Sequence, residues 1–109
     1  MIDLASKKCL VCEVGGLPFN QQQVEKLLLK LKGWDVDTGL KRIFKKWQFS
    51  DFKTAIVFAN KVAVLAESEG HHPELRIVWG EVKVSFWTHA VDGLSENDFI
   101  LAAKIDKLQ

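Results

Sequence analysis

A chain of 109 residues and 12.4 kDa can bury one core and leaves no room for a separate regulatory unit. Fifteen basic against fourteen acidic residues leave a formal charge of +1, so no global field steers the chain to nucleic acid or an anionic membrane, and an anionic ligand would have to be held locally. The first residues lack the apolar run of a signal peptide and no later run approaches membrane-spanning length, which predicts a cytoplasmic protein without a membrane partner.

Residues 1–15 carry no sustained period and end in the turn formers Gly15-Gly16-Leu17-Pro18. They are predicted to be a loosely ordered N-terminal arm on a single domain spanning 1–109. Within the arm, Cys9 and Cys12 form one Cys-x-x-Cys, half of a zinc ribbon with no second pair, and read as two free thiols rather than a metal or redox site. From Asn20, a helix cap, Val24, Leu27, Leu28 and Leu31 recur at helical spacing until Gly33. Trp34 to Val36 and Leu40 to Phe49 read as a hairpin around Thr38-Gly39, with Ile43, Trp47 and Phe49 on one side. Lys45 shares that side, an irregularity that a sheet edge or a subunit contact would accommodate.

Ser50-Asp51 starts the clearest helix, in which Phe52, Ala55, Ile56, Ala59, Val62, Ala63 and Ala66 form a stripe ending at Gly70. Leu75 to Trp79 and Val82 to Thr88 form a second strand pair around Gly80-Glu81, with His89 at its far end. Ser95-Glu96-Asn97-Asp98 starts a last helix that turns Phe99, Ala102 and Ala103 inward. The order α-β-β-α-β-β-α predicts an α+β domain of two layers, one four-stranded antiparallel sheet with helices on one face. The opposite face, if it carries Trp47 or Trp87, is expected to meet ligand or another subunit.

All three histidines lie between the end of the long helix and the end of the last strand. An imidazole titrates nearest neutral pH, which makes it the usual proton carrier in catalysis. His71 and His72 are adjacent and point to opposite sides of extended backbone, and by themselves they also fit solvated turn residues at a helix exit. His89 alters that balance, because an antiparallel hairpin brings the entry of one strand and the exit of its partner to the same edge. Three imidazoles could hold zinc, but the adjacency of the first two and the lack of a spaced helical or strand pair argue against it. No nucleophile elbow, phosphate loop or dinucleotide motif is present. Glu67 reads first as a last-turn surface carboxylate, Asp98 as the cap of the last helix, and Lys45-Lys46 as too short for a nucleic-acid patch.

Glu67-x-x-x-His71-His72-Pro73, followed at fixed spacing by Trp79, His89 and Asp98, resembles the signature of the pterin-4a-carbinolamine dehydratases. The similarity extends through Gly33-Trp34, Ile43-Phe44-Lys45, Phe49-x-Asp51-Phe52 and Gly93-Leu94-Ser95, from about residue 15 to 108. The resemblance implies dehydration of 4a-hydroxytetrahydropterin to quinonoid dihydropterin, the recycling step after aromatic amino-acid hydroxylation, with neither metal nor bound redox cofactor. It implies catalysis by His71, His72 and His89, and substrate contacts from Glu67, Pro73 through its backbone, Thr88 and Trp34. It also implies a homodimer or homotetramer, with a hydroxylase or a transcription regulator as protein partner in some members. Gly70 departs from the acidic or amide residue that many relatives carry before the histidine pair. The alternative is a non-catalytic interaction or co-regulator module on the same fold; retention of all three histidines favours the enzyme.

Overall fold

The structure, a computed structural model, describes residues 4–9 and 16–108. Helix α1 (Gln21–Leu28) opens on a reciprocal cap in which Asn20 Oδ1 accepts from the Gln23 amide at 2.9 Å and Gln23 Oε1 accepts from the Asn20 amide at 2.8 Å. Such a cap satisfies two of the N–H groups that a helix start leaves unpaired and is worth about 1 kcal/mol. The helix stops short of Gly33. Lys30 and Leu31 instead donate to carbonyls three residues back, a tightened turn that lets Leu31 pack on the core before Gly33 takes φ +78°.

Strands β1 (Asp35–Val36) and β2 (Ile43–Gln48) form the first hairpin, closed by Asp37 Oδ1, which accepts from the Lys41 and Arg42 amides. Helix α2 (Phe52–Glu69) is capped by Asp51 and stopped by Gly70 in left-handed geometry at φ +67°. A side chain there would meet nothing within 4 Å, so Gly70 is set by backbone conformation and not by crowding. Strands β3 (Glu74–Val78) and β4 (Glu81–Phe86) make the second hairpin, and helix α3 (Glu96–Asp106) ends the domain behind the Ser95–Asp98 capping box.

The sheet runs β1-β2-β4-β3 with every pair antiparallel, the predicted α+β architecture. Its helix-side face presents Ile43 and Trp47 of β2 with Val82, Val84 and Phe86 of β4, all buried, and Trp47 packs on Phe58 of α2 with ring centroids 4.9 Å apart. Trp47 therefore faces the helices and not the open side. Lys45 shares its face and survives there because its Nζ donates to Lys32 O at 2.7 Å and to Asp106 Oδ1 at 2.9 Å. β1 pairs only with Ile43 and Phe44, so β2 has an edge character from Lys45 onward.

The α2 stripe is rotated from the predicted one. Ala55, Phe58, Ala59, Val62 and Ala66 are buried, whereas Phe52 and Ala63 are exposed together with Val57 and Val64. Val57 and Val64 add apolar side chains to the outer side of the helix, so periodicity alone does not select the inner face. Helix α3 is buried along most of its length between α2 and a short 3-10 turn at Leu4–Ser6. Leu4 inserts into the core and Lys7 pairs with Glu96 at 3.0 Å, so residues 4–9 of the arm are docked on α3.

Candidate active site

Glu74 pairs with Ser85, so the residues before β3 and those after β4 emerge at one end of the same hairpin. Gly70 turns the chain out of α2 into His71-His72-Pro73, while Trp87, Thr88 and His89 arrive from the other side. Between them lies a cavity of about 600 Å³, whose wall is completed by Cys9, Glu69 and Asn97. Its size suits a small-molecule ligand.

His71, His72, Pro73, Thr88 and His89 thus share one cavity. Glu67 does not line it. Its carboxylate instead reaches His72, Oε1 to Nε2 at 2.6 Å, on exposed surface. Trp34 is not brought to the cavity either: it is 6% exposed, lies against Phe86 and Trp47 at 6.1 and 5.6 Å between ring centroids, and donates its Nε1 hydrogen to Asp106. Trp79 sits at the opposite tip of the β3–β4 hairpin, 74% exposed.

Asp98 joins the site from α3. Its side chain is wholly buried; Oδ2 accepts from the Ser95 amide at 3.0 Å and from the Thr88 hydroxyl at 2.8 Å, while Oδ1 lies 2.6 Å from His71 Nε2. The reading of Asp98 as a helix cap is correct and incomplete, because the cap uses one carboxylate oxygen and His71 takes the other. An ionised carboxylate only accepts, so the His71 proton resides on Nε2 and Nδ1 is left as the basic atom of the neutral ring. Phe86 fixes the plane of that ring, stacked within 10° at 5.9 Å. The Thr88 hydroxyl is committed to Asp98 and Ser95, so this side chain braces the carboxylate.

β4 ends at Phe86, and His89 opens a 3-10 turn rather than ending the strand. Its Nδ1 accepts from the Trp87 indole N–H at 3.3 Å. An indole N–H can only donate, so the neutral His89 ring carries its proton on Nε2. The two imidazoles therefore present opposite functions, a basic nitrogen on His71 and an N–H on His89.

Sequence reasoning missed the wall formed by Cys9, Glu69 and Asn97, for which no local signal exists, since Cys9 and Glu69 are 60 residues apart. Glu69 Oε1 accepts from the Cys9 amide at 2.9 Å and Oε2 from Lys104 Nζ at 3.0 Å, which hold its carboxyl below the usual range. Burial, then the Glu69 charge, pushes the Cys9 thiol up to about 12. A raised thiol pKa stabilises the fold below the ordinary thiol range, and that contribution is lost as pH climbs from about 9 toward 12. In a Cys12→Ser background, iodoacetamide at pH 8.5 is expected to alkylate folded Cys9 more than about a hundredfold slower than the urea-unfolded chain. Equal rates would contradict this environment. Cys9 is a free thiol, and Cys12 lies outside the described residues. Among the described residues no group of three or more His, Cys, Asp or Glu side chains is placed to hold a metal ion, and no helix is long and apolar enough to cross a membrane.

The family model for pterin 4 alpha carbinolamine dehydratase matches residues 17–108, which includes every part of this cavity except Cys9. The chain belongs to that family. Membership places it among the hydro-lyases. It is 50% identical to a Rickettsia bellii protein provisionally named a pterin-4-alpha-carbinolamine dehydratase, over 97% of this chain and 94% of that one. Against the Arabidopsis thaliana mitochondrial pterin-4-alpha-carbinolamine dehydratase 2 it is 45% identical over 100% of its length and 60% of the relative's. A solved transcriptional coactivator/pterin dehydratase from Brucella melitensis superposes with a TM-score of 0.78 and 31% identity, over 84% of this chain and 97% of that one. A pterin dehydratase-like RuBisCO assembly factor of the alpha-carboxysome shares the fold, with a TM-score of 0.60 and 22% identity over 71% of this chain and 89% of that one.

Proposed function

We propose that this protein dehydrates a 4a-hydroxytetrahydropterin to the quinonoid dihydropterin with His71 and His89 as its acid–base set, His71 carrying the proton and His89 hydrogen-bonding the departing oxygen, and with His72 binding the ring. The observation that carries the reading is the complementary state of the two imidazoles at one cavity, a basic atom on His71 backed by Asp98 and an Nε2–H on His89. In the reaction a ring nitrogen loses its proton, the nitrogen lone pair forms a C=N bond to carbon 4a, and the C–O bond breaks. His71 takes the nitrogen proton, and its imidazolium, countered by Asp98, delivers a proton to the departing hydroxyl. His89 Nε2–H holds that oxygen as negative charge develops on it. One proton leaves nitrogen, one reaches oxygen, and water departs.

Under this reading Glu67 orients His72, Pro73 contributes its backbone carbonyl to ring binding, and Thr88 acts by bracing Asp98. Trp34 is given no substrate contact, because it lies outside the cavity and its indole N–H is occupied by Asp106. The decisive experiment follows the ultraviolet decay of 4a-hydroxytetrahydropterin with and without the protein; a rate equal to the spontaneous one rejects the reading. We place the reaction in the cytoplasm, and fractionation with an antibody to the native protein tests that compartment.

The exposed apolar face of α2 supports self-association. Val64 is 72% and Val57 48% exposed, and together with Leu65 and Leu108 they line a groove with almost no charge beyond Lys61. Such a patch is costly in water, and a second copy covering it gives the homodimer or homotetramer. Val64→Asp is expected to lower the sedimenting mass by at least half; an unchanged mass would remove this face from the interface. The same face is what a second reading would use, an interaction module for a hydroxylase or a transcription regulator, and co-purification with such a partner after loss of the histidines would favour it.

A further inference from the structure

We propose that Trp87 is a positioning residue for His89, holding the ring through its indole N–H so that Nε2–H is presented to the departing hydroxyl. This rests on the dehydratase reading above.

Three observations converge on Trp87. Its Nε1 donates to His89 Nδ1 at 3.3 Å, with the two rings edge to face at 5.0 Å between centroids. The Arg42 guanidinium lies 4.1 Å from the Trp87 ring centroid and covers its face. Arg42 is there because Ile43 pairs with Phe86, which sets the residue before β2 beside the residue after β4. The indole is thus clamped on its face by a cation and spends its polar edge on the histidine, while its surface also contributes to the cavity wall.

His89 needs such a support more than His71 does. His71 is 14% exposed at its side chain, stacked on Phe86 and bound to Asp98, whereas His89 is exposed at the start of a short 3-10 turn. Without the indole N–H the ring can flip about its Cβ–Cγ bond or carry its proton on Nδ1, and in either case Nε2–H no longer faces the substrate. Arg42 acts one step further back by holding the indole, and Glu74 Oε1, 3.6 Å from its guanidinium, holds Arg42.

The test is Trp87→Phe, which keeps an apolar ring and deletes the donor. Steady-state dehydration is expected to show kcat down about five- to tenfold, the loss of one positioning hydrogen bond, with KM within about twofold. Nitrogen-15 NMR of the imidazoles is expected to show His89 Nδ1 as a hydrogen-bonded acceptor in the wild type and released in the variant, a signature that a merely structural defect would not move. Should Trp87→Phe fail to fold, Arg42→Gln carries the same test, with a two- to threefold fall in kcat and a partial release of Nδ1. A wild type that is active while the folded variant keeps both kcat and the Nδ1 signal overturns the role of Trp87 alone. A wild type that does not accelerate dehydration overturns the dehydratase reading, and with it any catalytic role for Trp87.

Discussion

Asp98→Asn is expected either to lower turnover about a hundred- to a thousandfold or to destabilise the fold by about 2–4 kcal/mol, according to which way the amide sits. The carboxylate accepts at both oxygens, from the Ser95 amide and Thr88 hydroxyl on one side and from His71 on the other. An amide offers one oxygen and one NH2, so it can satisfy only one of the two sides. If the oxygen stays with the helix cap, the NH2 faces His71 Nε2, and the ring must move its proton to Nδ1 and lose its basic atom. If the amide flips, His71 keeps its partner but two buried donors in the cap face a third. The first outcome removes catalysis and spares the fold; the second does the reverse. Ultraviolet turnover measured together with urea unfolding separates them, and an Asn variant with wild-type values for both would show that the Asp98–His71 contact has no role.

Truncating the imidazoles themselves gives the other large effect. His71→Ala and His89→Ala are each expected to slow dehydration about a hundred- to ten-thousandfold, the usual worth of a positioned acid or base. Because the two act on the departure of one hydroxyl, His71 by protonating it and His89 by hydrogen-bonding it, the double variant should lose much less than the product of the single losses. His71→Ala also leaves a void between Phe86 and Asp98, and added imidazole is expected to restore part of its rate. His89 lies on exposed surface, so its variant should fold as stably as the wild type. Unchanged turnover in either single variant would remove that residue from the mechanism.

The docking of residues 4–9 bears on how the cavity is closed. Cys9 reaches the wall because Glu69 fixes its backbone and Lys104 fixes Glu69, both partners being largely shielded from water. A pair so placed is screened less by salt than an exposed one such as Lys41–Asp92. Since the Glu69 carboxyl is held below its ordinary range, this anchor is intact at neutral pH and is lost as pH falls through the folded value.

Sequence alone determined the order of elements, because the helix starts and the end of α2 are chemically local. Asn20, Asp51 and Ser95 cap their own helices through atoms within three residues, and Gly70 ends α2 through its own left-handed φ. The convergence of His71, His72 and His89 was legible for a related reason, since an antiparallel hairpin with a tight turn at Gly80 leaves one way to bring its two ends together. What only the tertiary structure decided are the properties that depend on rotation and on distant partners. The inward side of α2 turned on Phe58 meeting Trp47, a choice left open by a helix that carries valines on its outer face as well as apolar residues on its inner one. Lys45 is tolerated on the helix face through Asp106, 61 residues away, and Cys9 enters the wall through Glu69. Asp98 lies between the two kinds. Its cap is read from Ser95 three residues before it, but its second oxygen is committed to a histidine 27 residues earlier, and only the packing of α3 across the end of the β3–β4 hairpin brings the two within 2.6 Å.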